Sequence, residues 1–220
     1  MGISHIVGAV RLNARLRGVS PPVVRELVVA EQSSLAAIHR ILQVAFGWSD
    51  ELPYTFLIRG WRIGDPDRAA QLARAGGRID MPIAAFGLEI GEAFRYQYNG
   101  SSGWEIDCRI EERTLREATE PAVCLAARGE PPDEQLGGPA AYPQWFIDSD
   151  PEWALYQVEE LLDEDIGDER FRREARQILA NARRGPLRRR EINARLRQCE
   201  ISDGRTRSVY EDAGPADHRR

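Results

Sequence analysis

From Ile6 to Arg17 the chain alternates: Val10, Leu12, Ala14 and Leu16 fall on one side, Arg11, Asn13, Arg15 and Arg17 on the other. A period of two predicts a strand with one buried face. Gly18 to Pro22 breaks it with two prolines that cannot donate to a ladder, so a turn is expected. The β-branched run Val23 to Val29 then predicts a returning antiparallel strand. Next the period lengthens. Leu35, Ile38, Leu42 and Ala45, with Ile41 and Phe46 beside them, lie on one face of a helix. Ser33 or Ser34 is placed to cap its first turn and Gly47 to end it, with Trp48 folding back on its end. Tyr54 to Ile58 and Trp61 to Ile63 read as two short strands about Arg59-Gly60.

Further along, Asp65 to Gly77 is polar and reads as a surface excursion, and Met81 to Phe86 as a short helix or irregular core segment. Phe94, Tyr96 and Tyr98 alternate, as do Trp104, Ile106, Cys108 and Ile110, and Asn99 to Gly103 between them predicts a second hairpin. Residues 113–150 are rich in proline and glycine with little periodicity. Asp150-Pro151 opens a helix with Leu155, Val158 and Leu162 as its apolar face. Asp168 opens another, with Phe171, Ala175, Ile178, Leu179 and Ala182 in register. Leu187 to Gln198 is a candidate third, and 202–220 reads as a disordered tail.

Together these elements predict an α+β fold, a mainly antiparallel sheet of hairpins crossed by one amphipathic helix, with a C-terminal helical appendage. The expected organisation is a core at 1–150, an Arg-rich helical extension packed on it at 151–201, and the tail. A 42% hydrophobic fraction suits a chain of 220 residues with a sizeable core. Three scattered cysteines form no metal or disulfide pattern, and no membrane-length apolar run or secretory leader is evident. A cytoplasmic protein without a membrane association is expected.

Several spaced motifs carry a resemblance. LRGVSPPVVRELVV near the start, SLAAIHRILQVAFGW in the helix, and FRYQYNGSSGWEIDCRIE in the second hairpin come first. Cys124, the run PPDEQLGGPAAY and INARL near the C-terminus follow in order. In these the chain resembles the plasmid pRiA4b ORF-3-like family, small prokaryotic proteins associated with insertion elements. The resemblance implies a helix on a curved sheet and no established activity. There are departures. Where the family runs histidine-leucine-histidine after its Gly-Trp, this chain has Glu51 to Tyr54. The family's Asp-Phe-Gly-Asp turn is here Asn99 to Gly103, and Ile106 or Asp107 replaces its hairpin histidine. A polar or metal-supported site built from those residues would be lost here.

The candidate chemistry is sparse. His5, His39 and His218 are the only histidines, and His39, at the margin of the helix face, is expected to be a structural, hydrogen-bonded residue. No metal, phosphate-loop or dinucleotide fingerprint is present, so no cofactor, metal or catalytic residue is assigned. Ser101 and Ser102 sit in a turn rather than a nucleophile elbow. Charge, however, is segregated. All 30 cationic residues are arginines, and the stretch from Asp168 to Arg197 holds eleven of them against four acids, a formal +7 in a chain of −5. Arg183, Arg184, Arg188, Arg189, Arg190, Arg195 and Arg197 form a candidate contact surface for nucleic acid or a partner protein. The same pattern also suits a solvated face or one docked on the acidic body. A second candidate is a groove near the 33–46 helix and the 131–142 loop, with Trp48, Tyr54, Trp104, Asp133, Glu134 and Tyr142. The expected role is a non-enzymatic accessory or binding protein. A protein-interaction adaptor is the alternative, and a carboxylate-based enzyme the least supported reading.

Overall fold

The structure, a computed structural model, describes residues 6–64, 79–100, 103–163, 168–182 and 187–199. The first alternating segments form β1 (Ile6–Leu16) and β2 (Val24–Ala30), paired antiparallel with Leu12 opposite Leu27. Helix α1 (Leu35–Phe46) follows, then β3 (Tyr54–Ile58), β4 (Trp61–Gly64), β5 (Ala93–Tyr98), β6 (Trp104–Glu117) and β7 (Val123–Arg128). The seven strands run β4-β3-β5-β6-β1-β2-β7, and all their pairings are antiparallel. Helices α2 (Tyr142–Asp148), α3 (Pro151–Asp163), α4 (Asp168–Asn181) and α5 (Arg189–Gln198) complete an α+β fold.

The two faces of the sheet differ because the strands alternate. Leu12, Ala14, Leu16, Phe94, Tyr96, Ile106 and Cys108 are buried in one core with Leu35, Ile38, Ile41 and Leu42 of α1. The opposite face carries a lattice of ion pairs, Arg11 with Glu111 and Glu112, and Arg17 and Arg95 with Glu105 and Asp107. Exposed pairs of this kind add little stability each, but they keep that face wet.

Ser34 is the residue that caps α1, its Oγ accepting from the Ala37 N–H at 3.1 Å. Gly47 ends the helix at φ 74°, and a Cβ there would lie 2.6 Å from Cδ1 of Leu187, so the chain entering α5 presses on the helix end. Ile192 and Leu196 of α5 are fully buried in the main core. Asn193 gives its amide N–H to the Cys124 carbonyl (3.0 Å) and accepts the Cys124 N–H (2.7 Å), so α5 satisfies part of the open edge of β7.

One segment holds more than its sequence showed, and one expectation needs correction. The segment 113–150, where little periodicity is legible, contains regular structure: β6 continues to Glu117, and β7 and α2 follow. Alternation fades there because four consecutive residues of β6, from Glu112 to Leu115, are exposed, and β7 is an edge strand with a register shift at Glu26/Leu27. On α3, Leu155 is 62% exposed, while Ala154 is buried. The inward stripe is Ala154 with half-buried Gln157 and Val158, since a small side chain lets the helix approach closely. The 65–77 excursion, Ser101 and Ser102 of the turn, and the tail lie outside the described residues.

Candidate functional site

The end of α1 and the strands below it hold two buried polar networks. His39 stacks on Tyr54 with ring centroids 3.6 Å apart. Its Nδ1 lies 2.7 Å from the Tyr96 hydroxyl and its Nε2 2.6 Å from Oδ1 of Asp50. Gln43 donates to the same hydroxyl at 2.8 Å and accepts the Asp50 N–H through its own carbonyl oxygen. Asp50 takes φ 63°, a left-handed conformation that Asp tolerates. Burial holds the Tyr96 hydroxyl well above its ordinary ionisation range.

The second network centres on Glu134. Its carboxylate accepts from the Ser49 N–H (3.0 Å), the Ser49 hydroxyl and the Tyr98 hydroxyl (2.8 Å). Burial first, and then donation to Glu134, push the Tyr98 phenol upward. Indole N–H groups complete the attachment: Trp48 donates to the Pro132 carbonyl at 3.0 Å and Trp104 to the Glu134 carbonyl at 3.3 Å. The proline-rich loop 130–136 is thereby fastened by five hydrogen bonds, three from Trp48 and Ser49 at the end of α1 and one each from Tyr98 of β5 and Trp104 of β6.

Above this floor opens a cleft of about 1200 Å³. Phe46, Trp48, Leu136, Trp145, Ile178 and Leu187 supply its apolar wall, and Glu130, Asp133, Glu134 and Asp148 its acids. Of the groove residues expected from sequence, Trp48, Asp133 and Glu134 reach this cleft. Tyr54, Trp104 and Tyr142 are buried beneath or beside it, Tyr54 against His39, Trp104 under the loop, and Tyr142 with its hydroxyl on the Glu130 carbonyl (3.3 Å). Trp145, Gln144 and Ser149 went unnoticed in the sequence. Their only signal was a tryptophan in a polar, proline-flanked stretch.

The basic candidates lie elsewhere. Arg188, Arg189, Arg190, Arg195 and Arg197 are exposed on or before α5, and Arg170, Arg172, Arg173 and Arg176 are exposed on α4. Arg189 reaches the Leu125 carbonyl at 3.4 Å, and Arg170 pairs with Glu174 at 3.9 Å. The side chains of the other seven have no hydrogen-bond or ion-pair partner among the described residues. Arg183 and Arg184 lie outside the described residues.

Arg25, also missed, has the opposite fate. Fully buried, it donates to the carbonyls of Ala45 (2.8 Å), Val24 (2.8 Å), Arg128 (2.7 Å) and Gly129 (3.3 Å), with its guanidinium 5.3 Å from the Phe46 ring centroid. Desolvation lowers its pKa to about 10, against an opposing effect of Cys124, so it remains a cation at neutral pH. It clamps β2, the end of β7 and the Ala45 carbonyl in the last turn of α1. Its signal was an arginine at a core-facing position of an alternating strand.

Among the described residues no cluster of three or more His, Cys, Asp or Glu is placed to hold a metal, and no helix is long and apolar enough to cross a membrane. The model of the plasmid pRiA4b ORF-3-like proteins matches residues 8–175. A curated relative, the uncharacterised protein y4hQ of Sinorhizobium fredii, is 31% identical over 140 residues, which make up 64% of this chain and 72% of that one. A crystal structure of a Methanosarcina mazei protein of unknown function, MM3350, superposes with a TM-score of 0.55 at 18% identity, covering 64% of this chain and 80% of the other. That likeness speaks for a shared fold. With the motifs in order and the family model spanning more than half of the chain, the protein belongs to the plasmid pRiA4b ORF-3-like family.

Proposed function

We propose that the protein is a non-enzymatic binding protein that contacts nucleic acid through the arginine-bearing surfaces of α4 and α5, in keeping with a family tied to mobile DNA. The observation that carries this reading is the set of seven exposed guanidinium groups without a partner among the described residues, where docking on the acidic body would have paired them. Guanidinium forks suit phosphate oxygens bidentately, and a surface of this kind binds by releasing counterions. An enzymatic role has less support. Glu134 is taken by Ser49 and Tyr98, Asp133 accepts the Gln135 N–H, and Asp148 accepts from Gln144.

The test is fluorescence anisotropy of the full chain with short single- and double-stranded DNA and RNA across a salt series. Binding that weakens steeply with salt is expected. The triple substitution Arg188→Ala, Arg189→Ala and Arg190→Ala should flatten the slope of log affinity against log salt by roughly 2–3. Substitution is preferred to truncation because Ile192 and Leu196 belong to the core. Absence of binding at low salt would overturn the reading.

A second reading is favoured by the cleft itself. Its size, rigid floor and apolar wall support an adaptor that holds a segment of a partner protein between the end of α1, the 130–136 loop and α4. Altering the loop should then abolish partner capture, while the triple arginine variant retains it.

A further inference from the structure

We infer that the cleft receives an extended cationic segment of a partner protein, with an arginine or lysine side chain entering beside Trp145; this rests on the adaptor reading. The argument begins with sign. Four carboxylates line the cleft, and no arginine or histidine does so among the described residues, in a chain that carries 30 arginines. Asp133 and Asp148 are exposed in its wall, and the bonds they accept come from neutral donors, the Gln135 N–H at 2.8 Å and the Gln144 amide at 2.7 Å. Neither has a cationic partner among the described residues. Compare the acids of the outer sheet face, where Glu105, Asp107, Glu111 and Glu112 are matched by Arg11, Arg17 and Arg95. For Asp133 and Asp148 the matching cation is left for an occupant to supply.

Shape and wall chemistry point the same way. The volume of about 1200 Å³ exceeds the roughly 300–1000 Å³ usual for small-molecule pockets and suits several residues of an extended chain. Trp145 is half-buried and lines the cleft, and an indole face is the best aromatic partner for a guanidinium or ammonium group. Leu136, Ile178 and Leu187 offer apolar surface for the methylene stem of such a side chain. The floor is already fixed by Glu134 and Trp48, so little ordering is required on binding. A phosphate polymer would meet repulsion here. The carboxylates thus set the cleft apart in charge from the arginine surface, which begins at Arg188 directly after Leu187 of its wall.

The experiment titrates the ¹⁵N-labelled full chain with three blocked octapeptides of alternating alanine and arginine, alanine and glutamine, or alanine and glutamate. It follows the indole N–H signal of Trp145, assigned through Trp145→Phe. The expected result is a saturable shift with the arginine peptide alone. Asp133→Asn with Asp148→Asn should weaken it about tenfold, whereas Glu111→Gln with Glu112→Gln on the outer face should change it by about twofold or less. Asp133, Asp148 and Glu112 are exposed and Glu111 is half-buried, and an unchanged spectrum without peptide verifies the fold. An equal shift with the glutamine peptide would overturn the cationic inference while leaving the adaptor reading standing. An equal loss from the outer-face pair would overturn it as well, since net charge alone would then explain binding. No shift with any of the three would remove both.

Discussion

Arg25 and Arg190 carry the same guanidinium group into opposite surroundings. Arg25 is fully buried, its donors divided among four backbone carbonyls of β2, β7 and α1. Arg190 stands exposed on α5 with no partner among the described residues. The contrast extends to the regions around them. In the sheet and α1, buried polar side chains such as His39, Gln43 and Glu134 are tied into networks that hold elements together. Over α4 and α5, only Arg189 and Arg170 of the exposed arginines have partners among the described residues. Polar groups already committed within the fold set its geometry, while uncommitted ones are available to something outside it.

Removing the committed member should have the largest effect. Arg25→Met leaves four carbonyls without their donor in a dry site, and should lower the unfolding free energy in urea by about 3 kcal/mol or more. Glu134→Gln comes next. It exchanges a carboxylate accepting three bonds for an amide that must turn one donor toward Ser49 or Tyr98, so a loss of about 2 kcal/mol is expected by the same measurement. Retained stability would show that the loop is held by Trp48 and Trp104 instead.

Ionisation of the tyrosines gives a finer test of the same idea. Tyr96 and Tyr98 titrate higher in the folded chain than when unfolded, where a tyrosine loses its proton near pH ~10. Above that pH the unfolded chain binds fewer protons, so stability is full below pH ~10 and falls as pH rises beyond it. A spectrophotometric titration should show part of the six tyrosines ionising only together with loss of structure. Smooth, independent ionisation of all six would contradict the buried networks. The smallest effect is expected at the other pole of the comparison: Arg190→Met should leave stability within about 0.5 kcal/mol. A larger loss would mean that this arginine has a structural partner after all.

The legible parts of the sequence were those where one period dominates. The strands of both hairpins and α1 follow from alternation and helical spacing, and Ser34 and Gly47 act at its ends through local backbone chemistry. The edge strand β7 and the inward stripe of α3 were not legible, because neither shows a clean apolar period. Half of the groove residues read from sequence reach the cleft, and the others turned inward. A tryptophan looks the same in sequence whether it packs below a loop, as Trp104 does, or lines a cleft, as Trp145 does.

By itself, then, the sequence determined the α+β plan, the family, and the crowding of arginines toward the C-terminus, since periodicity, ordered motifs and charge are properties of the chain as written. Only the tertiary structure decided which charges are buried and paired. Arg25 meets Ala45, Arg128 and Gly129, Ser49 meets Glu134, and Asn193 meets Cys124, all across distances in sequence that no local pattern spans. Desolvation and hydrogen-bond geometry act through space, so the line between a committed side chain and an available one is drawn when the chain closes on itself.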